Sequence, residues 1–323
     1  MTQGAVPILL ITGPTASGKS RLAIAVAEEF HGTVINADSM QVYRDLAVLT
    51  ARPGERELAR VPHRLFGVLD ASELCSAARW LALAEIEIAA ATREGRLPVV
   101  VGGTGLYLKA LLRGLAPVPE IRAEVRRAAR ALHAEVGGER FHAALAERDP
   151  ASAARLNPGD TQRLIRAYEV VTATGRSLVD WQRKQAGGMR PGVAAIVLLP
   201  PRAALYAAVD ARFASMADAG ALDEVRALMA RHFSPDRPAL KAVGVPELTA
   251  HLRGEMTLEA AISAAQQASR RYAKRQMTWL RTQLPPPNEL PTLSVNAQFS
   301  ESLPAEIFSF IRRFLLTISP QAR

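Results

Sequence analysis

The sequence contains a single cysteine, Cys75, few aromatic residues (5%) and no long apolar run. One cysteine excludes an intrachain disulfide framework and a zinc site of paired cysteines, and we expect Cys75 to be a small buried apolar residue. The apolar stretch at residues 6–11 is far shorter than the roughly 20 residues that a membrane-spanning helix needs, and no later stretch comes close. We therefore expect a soluble, cytoplasmic protein with no membrane contact.

Basic residues outnumber acidic ones, mainly in the last two thirds of the chain. Residues 1–119 carry 12 basic and 11 acidic groups, residues 120–190 carry 13 and 9, and residues 191–323 carry 15 and 11. With 49% hydrophobic and 22% charged residues the chain can form a sizeable core, which excludes a disordered or collagen-like protein. The basic surplus favours a polyanionic partner larger than a nucleotide, and a general preference for arginine is the alternative.

A glycine-rich motif of the pattern G-x-x-x-x-G-K-[ST] begins soon after the N-terminus. Its members are Gly13, Pro14, Thr15, Ala16, Ser17, Gly18, Lys19 and Ser20. A short strand (7–12) is predicted before it and a helix (22–27) after it, which is the context a P-loop requires. Backbone N–H groups and the helix N-terminus attract phosphate oxygens, Lys19 adds a charge, and the Ser20 hydroxyl can ligate Mg²⁺. The motif predicts a diphosphate or triphosphate site.

Apolar runs of strand length at 33–37, 97–101 and 193–199 alternate with helical patterns such as 77–92. This alternation predicts an α/β fold whose mostly parallel sheet is covered on both faces. Between about residues 120 and 185 only helical patterns occur, which predicts an all-α insertion. The predicted segments are a first part of the core (1–119), a helical insertion (120–189), and a second part of the core (190–323) with a basic helix (262–281) and a terminal amphipathic helix.

Two features lie where strands of the predicted sheet end. Asp38 follows the second strand, beside the ligand crevice of an open α/β sheet, and its carboxylate can bind Mg²⁺ or accept a proton. Capping of the next segment is the alternative interpretation of Asp38. Residues 102–105 follow the third strand and lack the carboxylate that ATP-hydrolysing enzymes use for their metal. This combination favours a use of the P-loop other than ATP hydrolysis.

Basic side chains cluster at two places in the predicted helices. Arg163 and Arg166 lie on one helical face at i, i+3 spacing. The second cluster lies in a stretch that has no acid between Glu259 and Glu289, and it comprises Arg270, Arg271, Lys274, Arg275 and Arg281. A solvated helix face normally mixes both signs of charge, so a purely basic face favours contacts with phosphates, with a plain surface helix as the alternative.

Several fragments, taken together and in order, resemble the tRNA dimethylallyltransferases, also called tRNA isopentenyltransferases. The fragments are residues 13–20, 38–43, 62–65, 101–107, 162–167 and 274–281. The resemblance implies a P-loop kinase-like core and a helical insertion that grips the anticodon arm of tRNA. It also implies transfer of a dimethylallyl group from dimethylallyl diphosphate to N6 of the adenine just 3′ of the anticodon, in tRNAs that read codons beginning with U.

The resemblance also assigns roles to individual residues. The P-loop binds the diphosphate with Mg²⁺, Ser20 is the metal ligand, and Asp38, Thr104 and Arg212 form the catalytic set, with Asp38 taking or orienting the N6 proton. Residues expected to contact tRNA are Asp38, Ser39, Met40, Gln41, Thr104, Arg126, Gln162, Arg163, Leu164, Ile165, Arg166, Arg271, Lys274, Arg275, Gln276, Thr278, Trp279 and Arg281. A monomer acting on the anticodon stem-loop is expected, with the adenine flipped into the pocket.

The chain departs from the family pattern at a few positions. Val245 and Pro246 stand where the family usually has an aromatic and a polar residue, so a stacking contact with RNA is expected to be missing there. Arg52 keeps the positive charge of the family's Gly-Thr-Ala-Lys-Pro stretch, and Cys75 stands where tyrosine is usual.

Three other functions are compatible with a P-loop and basic helices. They are a nucleotide or small-molecule kinase, prenyl transfer to free AMP, ADP or ATP, and an RNA-binding protein with an NTP-gated switch. The predicted insertion and the acid-free basic helix favour a large RNA substrate over a free nucleotide.

Overall fold

A computed structural model describes residues 5–183, 188–299 and 305–318. In these parts of the chain six strands form one parallel sheet, in the order β3-β2-β4-β1-β5-β6. The strands are β1 (Ile8–Thr12), β2 (Gly32–Asn36), β3 (His63–Arg64), β4 (Leu97–Gly102), β5 (Val193–Leu198) and β6 (Thr292–Val295). The predicted α/β class with a parallel sheet is confirmed.

The two strands beside β1 fix the centre of the sheet. Leu9 lies opposite Val99 of β4 on one side and opposite Ala194 of β5 on the other. Every residue of β1, β2, β4 and β5 is buried. Because successive side chains point to opposite faces, burial of all of them requires cover on both faces, and this explains the continuous apolar runs.

Helices follow most of the strands. They are α1 (Lys19–Glu29), α2 (Glu55–Leu58), α3 (Ala77–Arg93), α4 (Gly105–Arg113), α5 (Ala123–Arg148), α6 (Pro150–Ala153), α7 (Thr161–Thr174), α8 (Leu178–Arg183), α9 (Arg202–Met216), α10 (Leu222–Ala230), α11 (Val245–Leu252), α12 (Leu258–Gln283) and α13 (Ala305–Ile318). A π-helical segment (Ala217–Ala221) joins α9 to α10, and a 3-10 turn (Pro238–Lys241) precedes α11. None of the helices in the described ranges is long and apolar enough to cross a membrane.

The terminal helix α13 packs on the sheet together with α1. Its buried residues Ile307, Ile311 and Phe314 share one apolar cluster with Leu22 of α1 and with Leu9 of β1. Phe308 meets Phe30 edge-to-face at 5.6 Å. The apolar face of this amphipathic helix therefore packs on the core.

The chain forms two compact units, one of residues 1–112 with 189–323 and one of residues 113–188. The second unit has its own apolar core, built around Phe141, Leu145 and Leu164. Gly137 interrupts α5 with φ 78° but the helix resumes after it.

Candidate functional site

Three loops meet at the edge of the sheet that is formed by the carboxyl ends of its strands. They meet there because β1, β2 and β4 are parallel and all end at this side. The P-loop follows β1, Asp38 follows β2, and residues 102–105 follow β4. The P-loop runs close to its neighbours: a Cβ on Gly13 would lie 2.9 Å from the Leu198 carbonyl oxygen. Gly18 has φ 87°, a left-handed conformation that glycine adopts without strain.

The glycines after β4 are explained by close packing. A Cβ on Gly102 would lie 2.2 Å from the Ala37 carbonyl oxygen, and one on Gly103 would lie 2.3 Å from Nε2 of Gln276. Neither distance is possible for a real side-chain carbon. These glycines let the β4 loop contact the end of β2 and helix α12 directly.

Gln276 of α12 joins the P-loop to the β4 loop. Its side chain is 5% exposed; Oε1 accepts a hydrogen bond from the Thr15 N–H (2.8 Å) and Nε2 donates one to the Gly103 carbonyl (3.0 Å). Gln276 is predicted to contact tRNA, and the structure corrects this prediction. Both ends of the amide are used inside the protein, so the side chain holds two loops in place.

Asp38 and Thr104 are held beside each other at this edge. The Asp38 N–H donates to Oδ1 of Asn36 (2.8 Å), and Oδ1 of Asp38 accepts the Met40 N–H (2.9 Å), which closes a short turn. The Thr104 hydroxyl accepts the Ser39 N–H at 2.9 Å and donates to the Ser39 hydroxyl at 3.3 Å. One oxygen of Asp38 thus closes a turn, while the residue also lines the site.

Two adjoining cavities occupy the edge. The first, which we call the cradle, has a volume of about 380 Å³ and is lined by Lys19, Ser20, Arg21 and Gln298, among others. The second, the apolar cavity, has a volume of about 200 Å³; Leu49, Val209, Phe213, Met216 and Val243 form its apolar walls, and Tyr272, Lys241 and Arg275 also line it. Thr15, Asp38, Thr50 and Arg212 line both.

Two half-buried cations face the Asp38 carboxylate. Burial lowers the pKa of Lys19 to about 8; the charge of Asp38 partly opposes this shift, and Arg212 adds to it. Burial also lowers the pKa of Arg212, with Asp38 again opposing, and its guanidinium donates to the Thr15 hydroxyl. Lys19 itself donates to the Pro14 carbonyl at 3.3 Å. Two cations that are poorly solvated and share one carboxylate make this edge a strong anion site.

Burial raises the pKa of the Tyr272 hydroxyl, and the charge of Asp38 raises it further. The phenol therefore stays neutral and keeps its proton as a hydrogen-bond donor. Tyr272 has no role in the predictions made from the sequence. It lies one turn before Gln276 on α12, and this helical spacing indicates that both side chains point toward the protein interior.

The expected RNA-contacting residues lie in several environments. On α12 the exposed ones are Arg271, Lys274, Arg275, Thr278 and Arg281, whereas Trp279 is half-buried against Gly105. Ser39 and Met40 line the apolar cavity, and the Gln41 amide donates to the carbonyls of Thr50 and Ala51.

In the helical unit, Gln162 and Arg163 are exposed at the start of α7, Ile165 is half-buried, and Arg126 of α5 is half-buried. Arg166 forms an ion pair with Glu169 at 3.5 Å. Leu164 is fully buried in the core of the unit, so the expected contact of its side chain with RNA is corrected.

One other expectation is corrected. Cys75 is half-buried, with burial raising its pKa, and it is not a core residue. Val245 is 2% exposed at the start of α11, so this position belongs to the protein interior and offers no stacking surface.

Two residues far along the chain, Gln298 and Phe299, hydrogen-bond to carbonyls of the P-loop. Nε2 of Gln298 donates to the Ala16 carbonyl (2.9 Å), and the Phe299 N–H donates to the Ser17 carbonyl (3.2 Å). These residues follow β6 and carry no recognisable motif. The sequence offers no signal for them, because their contacts span some 282 positions.

The fold and the edge site define a P-loop α/β protein built to bind a polyanionic phosphate ligand next to a carboxylate and an apolar cavity. The IPP transferase family profile matches residues 41–283, and that of the isopentenyl transferases matches residues 6–71. The chain belongs to the IPP transferase family.

Relatives resemble the chain over nearly its whole length. The tRNA dimethylallyltransferase of Rhodospirillum rubrum is 56% identical over 316 residues, which is 97% of each chain. That of Paramagnetospirillum magneticum is 53% identical over 318 residues, 98% of this chain and 99% of the relative.

Solved structures are similar as well. The full-length tRNA isopentenylpyrophosphate transferase of Bacillus halodurans is 31% identical, with TM-score 0.66 and coverage of 96% of this chain and 95% of that one. A eukaryotic dimethylallyltransferase acting on tRNA is 26% identical, with TM-score 0.83 and coverage of 99% and 81%.

The lowered pKa of Lys19 predicts proton uptake when a diphosphate binds. In the free protein the ammonium loses its proton as the pH rises through about 8. A bound anion favours the charged form, so binding near pH 8 takes up a proton and weakens as the pH rises further. A terminal phosphate with a pKa of about 6 is already ionised there and releases none. Calorimetry with dimethylallyl diphosphate in two buffers of different ionisation enthalpy measures the uptake.

The Lys19→Met variant should lose this uptake and bind more weakly. Lys109→Met, which removes an exposed lysine from α4, should behave like the wild type. Binding without net proton exchange in the wild type near pH 8 would contradict the assignment.

Proposed function

We propose that this enzyme transfers a dimethylallyl group from dimethylallyl diphosphate to N6 of the adenine immediately 3′ of the anticodon, in tRNAs that read codons beginning with U. The observation that carries the proposal is the juxtaposition of a phosphate cradle and an apolar cavity that share Asp38 and Arg212. The apolar walls of the second cavity suit an isoprenoid chain, which a kinase reaction does not involve. We further propose that the enzyme acts as a cytoplasmic monomer.

In the proposed reaction the N6 lone pair attacks the allylic carbon C1. A C–N bond forms while the C1–O bond breaks, and the electron pair of that bond leaves on the diphosphate. The proton on N6 passes to the Asp38 carboxylate, which lies at the junction of the cavities. Negative charge that develops on the leaving oxygen is stabilised by the P-loop N–H groups, Lys19 and Arg212.

Mg²⁺ is the proposed cofactor, and the oxygen donors of the cradle suit it. The Ser20 hydroxyl and the Asp38 carboxylate both line that cavity, and hard cations prefer such oxygen ligands. Among the described residues no three His, Cys, Asp or Glu side chains cluster as a metal site, so Ser20 and the phosphates of the ligand are the proposed main ligands. When bound, the ion adds positive charge beside the leaving diphosphate.

The exposed cations of α12 are proposed to contact phosphates of the RNA. Arg271, Lys274 and Arg275 are exposed, and α12 has no acid after Glu259. Arg275 reaches from this face to the apolar cavity and lies over the Tyr272 ring, 5.7 Å from its centre. One helix thus lines the cavity and presents cations at the surface.

The proposed activity is tested with labelled dimethylallyl diphosphate and unmodified tRNA, with free AMP as the competing acceptor. We expect label in tRNA, at the adenine beside the anticodon. No label in tRNA would refute the proposal, and label in AMP alone would establish the free-nucleotide alternative.

Asp38→Asn should abolish most of the transfer while tRNA binding persists. The amide keeps an oxygen for the Met40 N–H but cannot take a proton, so we expect a loss of about 10²- to 10⁴-fold in the single-turnover rate. The matched control is Asp45→Asn, which removes a nearby carboxylate that pairs with Arg231 and lines neither cavity. Loss of tRNA binding in Asp38→Asn would instead make Asp38 a structural residue.

Neutralising the α12 face should flatten the salt dependence of tRNA affinity. Each lost phosphate contact reduces the slope of log K against log salt by about one, so Arg271→Gln with Lys274→Gln should reduce it by about two. Arg312→Gln with Arg313→Gln removes two exposed cations from α13 and is the matched control. An equal slope in both double variants would make α12 an ordinary surface helix.

A further inference from the structure

A short loop, residues 46–52, forms a wall shared by the two cavities. Thr50 lines both of them, Leu49 lines the apolar cavity and Ala51 lines the cradle. The loop closes one tight turn, with the Ala51 N–H donating to the Val48 carbonyl (2.9 Å) and the Arg52 N–H to the Ala47 carbonyl (3.0 Å). A single turn is too short to be stable alone, so something outside the loop has to hold it.

Glu224 of α10 holds the N–H end of this turn. Its Oε1 accepts the N–H groups of Ala47 (2.5 Å) and Val48 (2.8 Å), and its Oε2 accepts that of Leu49 (2.9 Å). The carboxylate thus takes the place of an N-cap residue, although it comes from a residue about 175 positions away. Hydrogen bonds from N–H groups to a charged carboxylate are about twice as strong as neutral ones.

The carbonyl end of the turn is held by Gln41. Its Nε2 donates to the carbonyls of Thr50 (2.8 Å) and Ala51 (3.1 Å). Gln41 lies three residues after Asp38 and itself lines the cradle. The loop is therefore fixed between the segment that carries Asp38 and helix α10.

The loop also fixes the position of Leu49. This side chain is 7% exposed, and a Cβ on Gly244 would lie 2.8 Å from it and 2.9 Å from the Phe213 ring. Leu49 thus fills a tight space between α9 and the start of α11. If the turn shifts, Leu49 moves within the apolar cavity and Thr50 moves beside Asp38 and Arg212.

We infer that Glu224 is a positioning residue for the transfer reaction: by gathering three backbone N–H groups it sets the wall against which the isoprenoid chain and the acceptor base are aligned. The inference rests on the proposed function for its kinetic consequence. Glu224 contacts neither cavity itself, so its effect passes through the loop.

Two variants remove the acceptor oxygens of Glu224 to different degrees. Glu224→Gln keeps one acceptor oxygen but presents an NH₂ group to one of the three N–H donors, and Glu224→Ala removes every acceptor. The matched control is Asp223→Asn, which removes the adjacent carboxylate of the same helical turn; Asp223 is exposed and pairs with Arg226.

The structural readout is hydrogen exchange of the amides of residues 47–49 in the full-length protein. We expect exchange to accelerate about tenfold or more in Glu224→Ala and less in Glu224→Gln, while the strands β1 and β4 keep wild-type protection. Unchanged exchange of these amides in both variants would overturn the inference, whatever the enzyme's substrate is.

The kinetic readout is transfer from dimethylallyl diphosphate to tRNA. We expect kcat to fall by about tenfold to a hundredfold, more in Glu224→Ala than in Glu224→Gln, while the affinity for inorganic diphosphate falls by less, because the loop supplies only part of the cradle wall. Wild-type kcat in Glu224→Ala, or an equal loss in Asp223→Asn, would overturn the inference. Absence of transfer by the wild type would refute the proposed function alone, since the exchange experiment does not depend on it.

Discussion

The site depends on one buried amide. Gln276 satisfies the Thr15 N–H of the P-loop and the Gly103 carbonyl of the β4 loop at the same time. A buried backbone group left without a partner costs about 1–3 kcal/mol, so α12 cannot move away without exposing or orphaning both. The same helix carries Tyr272 into the apolar cavity and its cations toward solvent. Substrate-facing and surface-facing groups are therefore fixed to one rigid element.

At the sheet edge two cations share one carboxylate, and this excess of positive charge favours the binding of an anion. Lys19 and Arg212 are both poorly solvated, and Asp38 is the carboxylate that opposes the resulting pKa shifts. A ligand that brings several negative charges restores the balance by pairing with the cations.

Local patterns predicted the sheet and the P-loop well. A strand, a glycine-rich loop and a helix follow each other within residues 8–29, and each carries its own signal of burial or turn chemistry. The Gly102 and Gly103 loop was correctly placed at the same edge, but the reason for its glycines needed the structure. Their neighbours are Ala37 and Gln276, and only the fold brings these within contact.

Side-chain roles were harder to predict. The motif around Gln276 predicts an RNA contact, whereas this residue lies on the buried side of α12. Leu164 shows the same conflict between a motif and a buried face. The roles of Glu224 and Gln298 could not be predicted from the sequence. Each side chain binds backbone groups of a distant segment, and such contacts produce no periodic pattern in the sequence.

The three tryptophans of the chain happen to report on three different regions. Trp80 is fully buried, stacks on Tyr107 at 4.5 Å and donates to the Asn36 carbonyl at the end of β2. Trp181 belongs to the helical unit, with the Arg176 guanidinium over its ring, and Trp279 lies against Gly105 beside the site. Variants that keep one indole each would separate, by intrinsic fluorescence, the melting of the sheet, the melting of the helical unit and the arrival of a ligand.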